Sequence, residues 1–139
     1  KSSVKVFFDN CTSPVLASTL RGFLDHLGHS ATHIKDAKCG RSATDIEWIE
    51  MLANDNSVWI VITGDTRIRK NKPERTAFRQ SGLIGFVLSP AYQKTPMNKV
   101  ASYLLWRWPD IERLTGIVGG GSLHELPMNF KGKIKQMPL

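Results

Sequence analysis

Ser57-Val58-Trp59-Ile60-Val61-Ile62 forms an almost unbroken apolar run that stops at Thr63-Gly64-Asp65. It is too short for a buried helix and does not alternate, so it reads as a strand covered on both faces of a parallel sheet. The flanking chain supplies helices on either side of it. Upstream, Thr44-Asp45-Ile46-Glu47 is a capping box, with Thr44 at the N-cap and Glu47 reaching back. The helix it opens has Ile46, Ile49 and Leu52 as its expected inner face. Earlier still, Val4-Lys5-Val6-Phe7-Phe8 is a short β-branched and aromatic strand ending at Asp9-Asn10. Ser13-Pro14 then caps and opens a helix, with Leu16, Leu20, Phe23, Leu24 and Leu27 expected on one face and Gly28 as its stop. A short strand is expected around Ala31 to Ile34.

Downstream of Asp65, a basic stretch leads into a short helix expected from about Pro73 to Gln80, then a strand over Leu83 to Leu88. A long helix is expected from Met97 to Trp108, which Pro109 should kink or restart. Gly119-Gly120-Gly121 ends the helical part, and the tail from Ser122 to Leu139 reads as a short strand pair or an extended arm. The alternation of strands and helices predicts an α/β fold, a three-layer α-β-α sandwich around a mostly parallel sheet of about four to five strands. It is read as a single domain over residues 1–139, with an α/β core over 1–118 and a C-terminal extension over 119–139. Right-handed crossovers put every parallel strand's carboxyl end on one edge, where ligands of such sheets bind. Asp9, Asp65 and the helix start carrying Asp45 all map to that edge.

Composition narrows the partner. The 139 residues carry a net charge of +7, with an isoelectric point near 9.7, which favours a polyanion and above all nucleic acid. The excess is local: Arg67, Arg69, Lys70, Lys72, Arg75 and Arg79 crowd one stretch in which Glu74 is the one acid. The competing reading is a solvated charged face. No apolar run approaches the roughly 18 residues of a membrane helix, and Lys5 and Asp9 interrupt the early apolar segment that a signal peptide would need. Cys11 and Cys39 make neither a disulfide framework nor a zinc site, which suits a cytoplasmic protein with reduced thiols.

Three acids on one edge repel. At about 5 Å and an effective dielectric of about 20, each ionised pair costs roughly 3 kcal/mol. Either one of them holds a proton or a hard cation neutralises the set, and Mg²⁺ or Mn²⁺ prefers carboxylate oxygens with water. Such an ion could activate a water and stabilise the leaving oxygen of a phosphodiester, while the basic stretch holds the backbone of the polyanion. Plainer roles compete for each acid. Asp9 and Asp65 also suit turns, and Asp45 also favours its helix N-terminus electrostatically. Glu47 competes with Asp45 for the site, and Glu74 would reach it if the basic loop folds back.

Phe8-Asp9-Asn10, Pro14-x-Leu16-Ala17-x-x-Leu20 and Leu27-Gly28-His29 resemble the opening of PIN-like ribonuclease domains. Asp45-x-Glu47-x-Ile49 and Val61-Ile62-Thr63-Gly64-Asp65 resemble the second and third acidic motifs of that family. The tail segments Gly121-Ser122-Leu123-His124-Glu125 and Lys131-Gly132-Lys133-Ile134-Lys135 are similar to those of its VapC-related toxin branch. The resemblance implies a Mg²⁺- or Mn²⁺-dependent endoribonuclease, the toxin of a type II toxin–antitoxin pair, with an antitoxin partner and often a homodimeric assembly. It implies Asp9, Asp45 and Asp65 as metal ligands, Asn10 as an accessory ligand through water, and Thr63 as the residue orienting Asp65 or a water on the metal. RNA contacts would come from Arg67, Arg69, Lys70, Lys72 and Arg75. One departure stands out: Arg67 occupies a position where relatives often carry a further acid, so one metal is expected rather than two.

Other features compete less well. His29 and His33 are four apart, but Gly28 and the strand deny them a shared helical face, so they read as structural. His124 shows no partner in the sequence. Trp59 and Trp108 read as core, whereas Trp48 has the chemistry to stack a base. Tyr103 and Trp106 fall off the inner helix face and suit a dimer or antitoxin contact. The alternative function is a non-catalytic RNA-binding PIN-like module. A phosphoacceptor signalling domain is a weaker rival, since no second acid adjoins Asp9.

Overall fold

The computed structural model describes residues 3–64 and 67–139, apart from the Arg67 side chain. Among the described residues six strands form one sheet in the order β2-β1-β3-β4-β5-β6. They are β1 (Lys5–Phe8), β2 (Ser30–His33), β3 (Trp59–Thr63), β4 (Ile84–Leu88), β5 (Ser122–Leu126) and β6 (Lys135–Met137). The first five are parallel, and β6 returns antiparallel to β5. The expected strand pair in the tail is therefore real, and its first member completes the parallel sheet.

The strand sequence dictates the layers. Side chains alternate across a pleat, so β1 sends Val6 and Phe8 to one face and Phe7 to the other. Val6 and Phe8, with Ile60, Ile62, Ile84 and Phe86, pack under α1 (Pro14–His26) and α5 (Met97–Thr115). Phe7, Val61, Val87 and Leu123 pack under α2 (Asp45–Ala53), α3 (Arg67–Lys70) and α4 (Lys72–Ser81). Both caps read from the sequence form: Ser13 accepts from Val15 N, and Thr44 and Glu47 close the full capping box.

Several expectations need correction. α5 does not stop at Trp108 but runs on through Pro109 to Thr115. Pro109 removes one N–H, yet Leu104, Trp108 and Ile111 form one buried stripe on the sheet, and that burial holds the helix together across the proline. Phe23 is exposed on α1, and Ala17 fills the inner face instead. On α2, Trp48 is buried and stacks on Phe7 with ring centroids 5.1 Å apart, so it is unavailable to a base. The basic stretch folds as α3 and α4 rather than as a loop followed by one helix. The strand expected to reach Ile34 ends at His33, where a 3₁₀ turn over Ile34–Asp36 takes over.

Gly85 explains how α4 sits so close to β4. A Cβ there would meet Phe78 at 2.9 Å and collide with Leu123. Gly121, at φ +79, lies against the Arg79 carbonyl, so only glycine fits both the conformation and the space. Gly120, against the Gly82 backbone, and Gly121 are the close-approach positions that bring β5 into the sheet.

Candidate active site

The strand order reverses between β1 and β3, since β2 and β3 pair in parallel with opposite edges of β1. Chains leaving the carboxyl ends of these two strands diverge to opposite faces, and the crevice between them is where open α/β sheets bind ligands. Asp9 follows β1 directly and is 3% exposed. Its Oδ1 accepts from the Cys11 backbone N–H at 3.1 Å, and its Oδ2 accepts from the Thr63 hydroxyl at the end of β3. Thr63 is itself fully buried. A buried carboxylate needs donors to offset lost hydration, and the turn after β1 and the end of β3 supply them.

Asp9, Asn10, Asp45 and Glu74 line one cleft of about 340 Å³, together with Cys11, Ser42, Thr44 and Trp48. Asp45 stands in the first turn of α2, where the helix dipole favours its charge. Its Oδ1 accepts from the Trp48 indole N–H at 2.9 Å, and its Oδ2 makes no bond within the described residues. Asn10 donates its amide to the Arg41 carbonyl at 2.8 Å, tying the loop before α2 to the end of β1. Glu74 enters from the first turn of α4, whose N-cap is Asn71. The fold-back of the basic segment is what delivers it, and a lone acid among cations was the signal for it.

The other expected site residues divide. Asp65 lies outside the described residues, as does the Arg67 side chain. Thr63, expected to orient Asp65 or a water, donates its hydroxyl to Asp9. Glu47 turns back to the Thr44 N–H at 2.8 Å and is not in the cleft. That hydrogen bond holds its carboxyl below the usual range. Lys70 and Lys72 are exposed, and Arg69 and Arg75 are half-buried, on α3 and on α4, the helix that carries Glu74.

The donor chemistry suits a hard cation, since three carboxylate residues, Asp9, Asp45 and Glu74, line one cleft. Among the described residues, however, no three His, Cys, Asp or Glu side chains draw together closely enough to hold a metal by themselves.

His29, His33 and His124 serve the packing of the fold. His29 Nδ1 accepts from Val4 N and its Nε2 meets Glu112 at 3.0 Å. His33 bonds the Thr12 carbonyl and the Lys35 N–H. His124, partnerless in the sequence, is buried at 3.0 Å from the Ser122 hydroxyl, and burial pushes its pKa down. Both cysteines are free thiols. Among the described residues no helix is long and apolar enough to cross a membrane.

Residues 4–90, more than half of the chain and including Asp9, Asp45 and Glu74, match the family of PIN-like domains. The chain belongs to that family. No curated protein and no solved structure matches it significantly.

Proposed function

We propose that this PIN-like domain is a divalent-metal-dependent endoribonuclease that cuts RNA phosphodiesters. The observation that carries the reading is the gathering of Asp9, Asp45 and Glu74 in one cleft at the reversal of strand order, flanked by the basic helices α3 and α4. Asp9, Asp45, Glu74 and Asp65 would hold Mg²⁺ or Mn²⁺. When bound, the cation would activate water and offset charge at phosphorus. Thr63 fixes the Asp9 carboxylate, and Arg69, Lys70, Lys72 and Arg75 offer the positive charge that an RNA backbone requires.

Within that reading, the protein is a toxin of a type II toxin–antitoxin pair, acting in the cytoplasm, with an antitoxin and a second copy of itself as partners. The support is the similarity of the tail segments 121–125 and 131–135 to VapC-related toxins. Growth arrest on expression, relieved by Asp9→Ala, would support it.

The decisive assay is cleavage of single-stranded RNA with Mn²⁺ or Mg²⁺. Cleavage should vanish in chelator and in Asp9→Asn and Asp65→Asn variants that still fold. Full activity in either variant overturns the assignment. Arg67, where relatives often carry an acid, favours the second reading of a non-catalytic RNA-binding module. Calorimetric titration with Mn²⁺ separates the two: the enzyme requires a stoichiometric site that the binding module does not.

A further inference from the structure

A second hollow, of about 210 Å³, opens beside the carboxylate cleft on the other face of the sheet. Leu16, Leu88, Met97 and Val100 make its walls, from α1, the end of β4 and the start of α5. Gly64 and Cys11 form the side nearest the acids, and Cys11 lines both spaces. The two hollows therefore adjoin across the sheet edge. Water needs only about 10–15 Å³ by this measure, so the space admits a ring.

Two polar groups on its lining are uncommitted. Ser89 stands at the N-cap of the 3₁₀ turn Pro90–Lys94 yet makes no capping bond with its hydroxyl. Gln93, exposed on that turn, makes no side-chain hydrogen bond to any described residue. An amide offers two donors and an acceptor, and a hydroxyl offers both roles. Apolar walls with a few convergent polar groups are what a flat heterocycle with a hydrogen-bonding edge requires.

We propose that this hollow is a nucleobase pocket, seating one base of the RNA beside the phosphate at Asp9, with Gln93 and Ser89 reading its edge. The proposal rests on the nuclease reading for its substrate but not for its geometry. A strand whose phosphate lies over the acids has a base within reach across Cys11. The polar edge favours a base over an apolar side chain of a partner protein.

The test has two arms. In the first, ¹⁵N-labelled protein is titrated with AMP, GMP, CMP and UMP. At least one nucleotide should shift the amides of Leu88, Ser89 and Gln93, and its affinity should fall about fivefold or more in Gln93→Ala and in the pocket-filling Ser89→Phe. No shift there, or unchanged affinity in both folded variants, overturns the proposal. In the second, single-turnover cleavage of RNAs varied at the positions flanking the cut should show a preference of about tenfold for one base, collapsing in Gln93→Ala. Cleavage without base preference removes the pocket and leaves the nuclease. Nucleotide shifts in a protein that cleaves no RNA keep the pocket and remove the nuclease.

Discussion

The Thr63 hydroxyl donates to Asp9 Oδ2, joining the ends of the neighbouring strands β1 and β3 through a buried hydrogen bond. The acceptor is a carboxylate and both partners are buried, so the bond is in the stronger class, worth about 1.5–3 kcal/mol. Thr63→Val, which keeps the volume, should lower unfolding stability by about that amount. As Thr63 positions Asp9 rather than touching substrate, kcat should fall about tenfold or more with KM little changed, and Thr63→Ser should restore it. Urea denaturation and steady-state cleavage of one RNA substrate check both effects.

Glu74 is the acid that the basic helices bring into the cleft. Glu74→Gln keeps the shape and removes the charge. The Mn²⁺ concentration needed for half-maximal cleavage should rise about tenfold, equivalent to about 1.4 kcal/mol of lost cation binding. Because the side chain also sits in the first turn of α4, stability should fall by no more than about 1 kcal/mol. Activity measured across a Mn²⁺ series, beside thermal melts, separates these outcomes.

How legible this site was in the sequence depended on which physical signal each residue gave. Asp9 and Asp45 were readable because local rules place them: one ends a buried strand, the other follows an N-cap. Glu74 was readable only conditionally, because its arrival depends on the fold-back of α3 and α4. The partnership of Thr63 with Asp9 spans 54 residues of sequence, and no local pattern encodes a contact between strand ends. The burial of Trp48 was likewise a tertiary outcome, decided by Phe7 beneath it. In α5, the propensity of Pro109 was overridden by the buried stripe that continues to Ile111. Local rules set the order of elements; packing between elements set the second half of the site.

The glycines of the β4–β5 seam should be intolerant of even one methyl. Gly85→Ala forces Phe78 and Leu123 apart, an overpacking cost of about 1–3 kcal/mol. Gly121→Ala meets both an unfavourable φ of +79 and the Arg79 carbonyl, which is backbone and cannot swing away. It should therefore be the more damaging of the two. Denaturant midpoints for the two variants, compared with a change at Gly119, where a Cβ meets nothing within 4 Å, test the ranking.

His124 should make stability depend on pH. Burial lowers its pKa from the ordinary 6.5, so the folded state prefers the neutral ring. Above about pH 6.5 neither state binds the proton and the full stability is present. As pH falls, the unfolded chain is protonated first, and stability declines until the lowered folded-state pKa is passed. The slope from this one group cannot exceed about 1.4 kcal/mol per pH unit. His124→Gln should flatten the decline below about pH 6.5 relative to the unaltered protein, measured by urea unfolding at stepped pH.

Lys70 on α3 and Lys72 on α4 stand exposed near Glu74 in the chain, where an RNA backbone entering the cleft would run. Each cation that neutralises a phosphate of a single strand adds about 0.7 to the slope of log affinity against log salt. The double variant Lys70→Ala/Lys72→Ala should therefore reduce that slope by about 1.4 and weaken binding of all sequences alike. Neither lysine forms an ion pair with a described residue, so the fold should be unaffected. Lys5 and Lys35 are the natural controls: both are already paired with carboxylates, at 3.5 Å to Asp55 and 3.1 Å to Asp36. Their replacement should leave the slope unchanged. A slope that drops equally in both pairs would mean that RNA follows the diffuse charge of the protein rather than a track along α3 and α4. Filter binding of a non-cleaved RNA in chelator, at stepped salt, measures it directly.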